Sequence, residues 1–202
     1  MLLLSRNHKE NMKTKGESMN IANKLTILRI VLIPFFILCF YIGALDQPVS
    51  IAHFQTTYAH MMALLIFSLA AATDWLDGYL ARKLNLISDF GKFMDPLADK
   101  MLTTAAFLIF INQGLLTSWV VFIILTREFI VSGLRMNVAA KGIIIAAGWS
   151  GKFKTVLQFI LVIALLIQPE LTVVNVVLVY AMVIATVISG AEYVVKNMNV
   201  FK

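Results

Sequence analysis

Apolar residues along this chain gather into six long segments, roughly 27–45, 58–80, 93–112, 117–134, 154–168 and 172–193. Several of the uninterrupted runs fall short of the ~20 residues that span a bilayer's hydrocarbon. They reach that length only where helices continue through charged ends. The connections between them alternate in kind. Segments 46–57, 113–116 and 169–171 carry no Lys or Arg, only Asp46 and Glu170. All 17 Lys and Arg lie at the opposite ends: Arg6 to Arg29, Arg82 to Lys100, Arg127 to Lys154, then Lys196 and Lys202. Short loops rich in Lys and Arg stay in the cytoplasm. The pattern therefore predicts an all-α integral membrane protein with six transmembrane helices and both termini cytoplasmic. One missed helix would scramble this segregation, so the charges support the count.

Composition agrees. The chain is 60% hydrophobic and 14% charged, with a mean hydropathy of +0.85, against about 45–50% apolar and about 25% charged in soluble domains. No long polar stretch divides it, so residues 19–202 are expected to form a single membrane-embedded domain. Residues 1–18 are polar and basic and lack the apolar core of a signal peptide. They are expected to be a disordered extension, with Met19 beginning the compact chain. The net charge of +6 does not point to nucleic acid, because the basic residues are distributed as a topology signal. A single cysteine, Cys39, excludes an intramolecular disulfide and a CxxC metal site. His8, His53 and His60 are scattered without HExxH spacing, which argues against a zinc hydrolase. Trp75, Trp119 and Trp149 fall near expected interfaces, where indoles anchor. Pro34 predicts a kink in the first helix, or one its neighbours tolerate.

The chemistry concentrates between the second and third segments. Asp74 and Asp77 are spaced i,i+3, and Asp95 and Asp99 i,i+4, so on helices each pair projects from one face. An ionised side chain beside such apolar runs costs ~2.5–3.5 kcal/mol on insertion scales. Something must offset it. The plainer solution is a polar loop with the acids bridged to Arg82, Lys83, Lys92 and Lys100. The alternative is hard-cation binding, and two divalent ions would bring the four carboxylates to neutrality. Mg2+ or Mn2+ suits all-oxygen ligation completed by phosphate oxygens. Gly78 and Gly91 allow close approach, and Arg82 offers a fork for a phosphate. Metal, phosphate and clearance together point to phosphoryl transfer. The charge topology places it at the cytoplasmic surface, where a soluble head group and a lipid tail can meet.

The string Asp74-x2-Asp77-Gly78-x2-Ala81-Arg82-x8-Gly91-x3-Asp95-x3-Asp99 resembles, position for position, the signature of the CDP-alcohol phosphotransferases. The resemblance covers essentially residues 19–202 and implies that family's membrane fold. It further implies that Asp74, Asp77, Asp95 and Asp99 bind two divalent cations and that Asp99 deprotonates the acceptor hydroxyl. Gly78, Arg82 and Ser88 would contact the CDP part of the donor. Asn23, Thr26 and Arg29 resemble the family's Asn-x-x-Thr-x-x-Arg segment lining the cytidine pocket, although Ala22 stands where many relatives have proline. The plainer reading of that stretch is a helix start capped by Asn23 with basic residues facing lipid phosphates.

Family members differ in the alcohol they use. A phosphorylated acceptor needs further cations, and Arg127, Arg135, Lys141, Lys152 and Lys154 form a cytoplasmic cluster. Topology plus attraction to anionic lipid heads, ~1 kcal/mol per residue, would also explain them. Arg127 with Glu128 interrupts an apolar run, which is costly unless the arginine faces a polar cavity. The wording of 126–155 resembles family members that use sn-glycerol 3-phosphate. The implied reaction takes CDP-diacylglycerol to phosphatidylglycerol phosphate and CMP, with Arg127, Arg135, Lys141 and Lys152 holding the acceptor phosphate. The implied setting is a homodimer among plasma-membrane lipids with the site facing the cytoplasm. Siblings using inositol phosphate, serine or phosphatidylglycerol share the motif. A divalent-cation transporter would need polar residues continuing to the outer side, where segments such as 33–43 and 178–187 are almost wholly apolar. Two substitutions separate the expected roles of the aspartates. Asp99→Asn should abolish turnover yet retain considerable donor binding, whereas Asp74→Asn should lose both, as read by product formation and by binding of labelled donor.

Overall fold

The computed structural model describes residues 21–51, 54–84, 89–140, 148–170 and 172–201. Within these ranges the side chains of 21–23, 51, 54, 74–84, 89–93, 95, 96, 99, 137–140 and 199–201 lie outside the description. The expected extension at residues 1–18 lies outside it too. Six long helices account for most of the described chain: α1 Ile21–Leu38, α2 Tyr58–Leu84, α3 Asp89–Asn112, α4 Ser118–Ala140, α5 Trp149–Ile167 and α6 Val173–Phe201. They run from 18 to 29 residues, which at 1.5 Å per residue is about 27 to 44 Å. Among the described residues two stretches, Trp149–Ile167 and Val173–Met198, are long and apolar enough to cross a membrane. All six helices present large apolar side chains outward, among them Phe35, Leu65, Leu108, Phe122, Ile160 and Val177.

Every one of these helices reaches past its apolar run at one end at least, α1 from Ile21 and α3 from Asp89. α2 continues to Leu84, α4 to Ala140 and α6 to Phe201, while α5 starts at Trp149, five residues before the run that begins at 154. At its C-terminal end the first helix departs the other way. It was expected to reach residue 45 but ends at Leu38, followed by a 3-10 turn at Gly43–Leu45. The connection 46–57 also holds an antiparallel hairpin, β1 Pro48–Ile51 with β2 Phe54–Thr57, registering Pro48 opposite Thr57. Gly43 and Pro48 interrupt the helix, and β-branched Val49, Ile51, Thr56 and Thr57 favour the strands. Pro48 stands at a strand start, where its missing N–H costs least. Pro34 lies inside α1, which runs on through it.

The core lies where α1 packs against α2 and α3, with α5 closing on α2 and α6. One face of α2 buries Ala59, Ala63, Phe67 and Ala70, and the small residues let neighbouring backbones approach. An aromatic chain ties three helices together. Phe36 meets Phe67 at 6.3 Å between ring centroids, and Phe67 meets Phe159 at 5.6 Å. At the hairpin end, His60 joins Thr57 Oγ1 through Nδ1 at 2.8 Å and Gln113 Oε1 through Nε2 at 3.2 Å. That contact pins the start of α2 to the α3–α4 turn.

The α3–α4 turn is a left-handed helix cap. Gly114 has φ +73°, its N–H reaches Ile111 O at 3.0 Å, and Leu115 N–H reaches back to Phe110 O at 2.9 Å. That bond pair satisfies carbonyls the helix end leaves open. A Cβ at residue 114 would touch nothing within 4 Å, so substitution there isolates backbone strain. Gly114→Ala should destabilise the fold by about 1 kcal/mol, the cost of a left-handed non-glycine residue, seen as a lower thermal midpoint in detergent with activity intact.

Candidate active site

Asp74 and Asp77 lie on the second half of α2, and Asp95 and Asp99 on the first half of α3, flanking residues 85–88. Both segments are helical, so the spacings of three and four place each pair on one helix face. The carboxylates themselves, with Gly78 and the Arg82 side chain, are outside the described side chains, and Ser88 and Lys141 fall in 85–88 and 141–147, outside the described residues. On α1 the Asn-x-x-Thr-x-x-Arg spacing puts Thr26 and Arg29 about one turn apart. Both are fully buried in the bundle, on a helix that packs against α2 and α3. The Asn23 side chain is outside the description. A helix start with its arginine in the lipid head groups does not match this burial of Arg29.

A second constellation is built around Glu128, midway along α4. Arg127 Nη1 donates to Glu128 Oε1 at 3.2 Å, and Lys100 Nζ from α3 stands 3.7 Å from Glu128 Oε2. Lys154 Nζ from α5 donates to both Glu128 Oε1 and Gln158 Oε1. Three helices thus converge on one carboxylate. The Lys154 side chain is 1% exposed and that of Glu128 16%, so this pair sits inside the bundle. Lys154 was expected in one cluster with Arg127, Arg135, Lys141 and Lys152, but it is buried against Glu128 and does not line the cavity that Arg127, Arg135 and Lys152 share. Because α5 begins at Trp149, residue 154 shares the buried face of Leu157, Gln158 and Leu161, and its ammonium is engaged by Glu128.

Above this hub Lys100, Arg127, Arg135 and Lys152 line one cavity of about 380 Å3, together with Glu128, Ser132 and Thr155. Arg127, Val131 and Arg135 recur at intervals of four on α4, and Gly151, Lys152 and Thr155 face them from α5. Four cations line this space against one carboxylate. Two like charges 4 Å apart repel by about 4 kcal/mol at an effective dielectric of 20, so such a lining favours an anion with more than one charge. Neighbouring aromatic rings steady two of the cations. The Arg135 guanidinium carbon lies 5.8 Å from the centre of the Tyr193 ring, and Lys152 Nζ lies 5.3 Å from that of Trp149.

Arg127 is fitted closely. A Cβ on Gly190 of α6 would lie 3.0 Å from Arg127 Cγ, and one on Gly151 would lie 3.6 Å from Arg127 Nη2. Its Nε–H is buried and meets no acceptor among the described residues. Lys100, Ser132 and Thr155 were not among the residues expected to meet an acceptor phosphate. Their signal was faint: a serine, a threonine and one more lysine close to the aspartates. Glu128 carried a stronger one, as an acid inside an apolar run.

The fold is a bundle of six long helices among the described residues, with a cationic cavity bordered by the helix that bears Asp95 and Asp99. Residues 19–188 match the CDP-alcohol phosphatidyltransferase family, and the chain belongs to it. It is 41% identical over 189 residues to the CDP-diacylglycerol--glycerol-3-phosphate 3-phosphatidyltransferase of Bacillus subtilis, covering 91% of this chain and 97% of that protein. It is 39% identical over 181 residues to the protein of the same description in Haemophilus influenzae, covering 86% and 91%. It is also 39% identical over 183 residues to the probable phosphatidylglycerophosphate synthase of Mycobacterium tuberculosis, covering 89% and 82%.

Gly190→Ala tests the fit around Arg127. Alanine favours the helix by about 1 kcal/mol, so the fold should hold or gain stability. Arg127 must shift, and inorganic phosphate should bind the cavity about fivefold more weakly, ~1 kcal/mol, by calorimetric titration.

Proposed function

We propose that this chain transfers the phosphatidyl group of CDP-diacylglycerol to sn-glycerol 3-phosphate, giving phosphatidylglycerol phosphate and CMP. One observation carries the choice of acceptor. The cationic cavity includes Lys100, the residue that follows Asp99 in the chain. A phosphate held in that cavity keeps the rest of a three-carbon alcohol within reach of the helical turn that bears Asp99. The names of the relatives point the same way.

In this reading Arg127, Arg135 and Lys152, with Lys141 from the neighbouring segment, hold the acceptor phosphate, and Lys100 adds a fourth described cation. Asp99 accepts the proton of the attacking hydroxyl. The oxygen so released forms a bond to the β-phosphorus of the donor, and the bond from that phosphorus to CMP breaks. Asn23, Thr26, Arg29, Gly78, Arg82 and Ser88 receive the CDP portion. Four aspartate carboxylates on two adjoining helix ends form an all-oxygen donor set of the kind Mg2+ or Mn2+ prefers, and Asp74, Asp77, Asp95 and Asp99 would hold two such ions. Bound there, the ions supply charge neutralisation at the pyrophosphate and make a nearby hydroxyl more acidic. The six helices span the plasma membrane with both termini in the cytoplasm, since every Lys and Arg then lies on that side. The chain works as a homodimer through its membrane helices.

Purified protein incubated with CDP-diacylglycerol, Mg2+ and a panel of labelled alcohols should use glycerol 3-phosphate in preference to inositol phosphate, serine and phosphatidylglycerol. Preference for any of those overturns the acceptor. Arg135→Ala should raise the KM for glycerol 3-phosphate about tenfold, the ~1.4 kcal/mol equivalent of one lost charge-assisted contact, while the KM for the donor stays within about twofold.

A further inference from the structure

Glu128 is the acid least expected in this cavity. It repels a phosphate, yet it sits among the residues that would bind one. Its three partners explain its presence. Lys100 comes from α3, Arg127 from α4 and Lys154 from α5, and two of them, Lys100 and Arg127, line the phosphate cavity. We infer that Glu128 is a positioning residue for the acceptor: its carboxylate sets where Lys100 and Arg127 stand, and thereby how far the phosphate cavity lies from the turn of α3 that bears Asp99.

The geometry supports this in three ways. Oε1 accepts from Arg127 and Lys154, while Oε2 faces Lys100, so the two oxygens divide the work between helices. Lys154 is itself held by Gln158 one turn further along α5, which fixes the position of Glu128 from below. The stem of Arg127 packs against Gly190, where an added Cβ would lie 3.0 Å from its Cγ, so the end left for Glu128 to aim is the guanidinium. The acceptor phosphate and the attacking hydroxyl are separated by the fixed length of a glycerol chain. A displacement of the cations by about 1 Å therefore misplaces the hydroxyl as well as weakening its hold.

The inference rests on glycerol 3-phosphate being the acceptor, which the panel of alcohols decides on the unmodified protein before any variant is made. If the unmodified protein ignores glycerol 3-phosphate, that reading fails by itself. Given that it turns over, Glu128→Gln should raise the KM for glycerol 3-phosphate tenfold or more. The ratio of kcat/KM for glycerol 3-phosphate to that for unphosphorylated glycerol should fall by at least as much. The KM for CDP-diacylglycerol should move less than threefold. Glu128→Asp, one methylene shorter, should recover part of the loss. Since Glu128→Gln leaves Lys154 buried without a counter-charge and the fold is at risk, Glu128→Gln/Lys154→Met removes the buried pair together and should show the same raised KM in a folded protein. An unchanged acceptor KM in the folded double variant overturns the inference. So does an equal loss toward both substrates, or unfolding of every Glu128 variant, since either outcome leaves the carboxylate a structural member alone.

Discussion

The pairing of Glu128 with Lys154 is the constraint on which the rest of this site depends. Both groups lie inside the bundle, where desolvation costs several kcal/mol per ion and breaking such a pair by removing one partner costs about 3–5 kcal/mol. The sum is tolerable because each charge is multiply engaged: Lys154 by Glu128 and Gln158, and Glu128 by Lys154, Arg127 and Lys100. The arrangement locks α3, α4 and α5 at one level. That level adjoins Asp99 in the chain, so the cationic cavity is held to the helix that bears Asp95 and Asp99.

Around this polar centre the bundle uses two different kinds of space. Between α2 and α5 lies a cavity of about 520 Å3 lined by Met61, Leu64, Leu65, Leu69, Leu166 and Ile167 among others, almost wholly apolar. The cationic cavity is smaller, about 380 Å3, and its lining is charged. Size does not identify the chemistry here. In a bilayer an apolar groove accommodates acyl chains at little cost, because lipid tails are as apolar as leucine. Four cations gathered around one cavity are costly unless an anion joins them. The small residues follow the same logic of approach, with Ala63 and Ala70 bringing helices together and Gly151 and Gly190 making room for one arginine.

Much of this could be read from the chain itself. Six apolar segments foretold six helices, because an unbroken apolar stretch buries its backbone polar groups only by bonding them internally. The motif from Asp74 to Asp99 resembled the family's signature, and on helices its spacing sets each pair of acids on one face. The ends of elements were less legible. The first helix stops at Leu38 and a hairpin follows, because an apolar run says nothing of the glycine, proline and β-branched residues that redirect the backbone.

What the sequence determined by itself is therefore local and periodic: helix number, the gathering of Lys and Arg at alternate connections, and a motif that resembles the family's. Only the tertiary structure decided which cations share a cavity. Lys152 and Lys154 are two residues apart and look equivalent in the chain, yet one lines the cavity and the other is buried against Glu128. Two positions on a helix are about 200° apart, so the side that each residue takes depends on how α5 is rotated against α3 and α4. That rotation is set by packing between helices distant in sequence, which no stretch of the chain encodes alone.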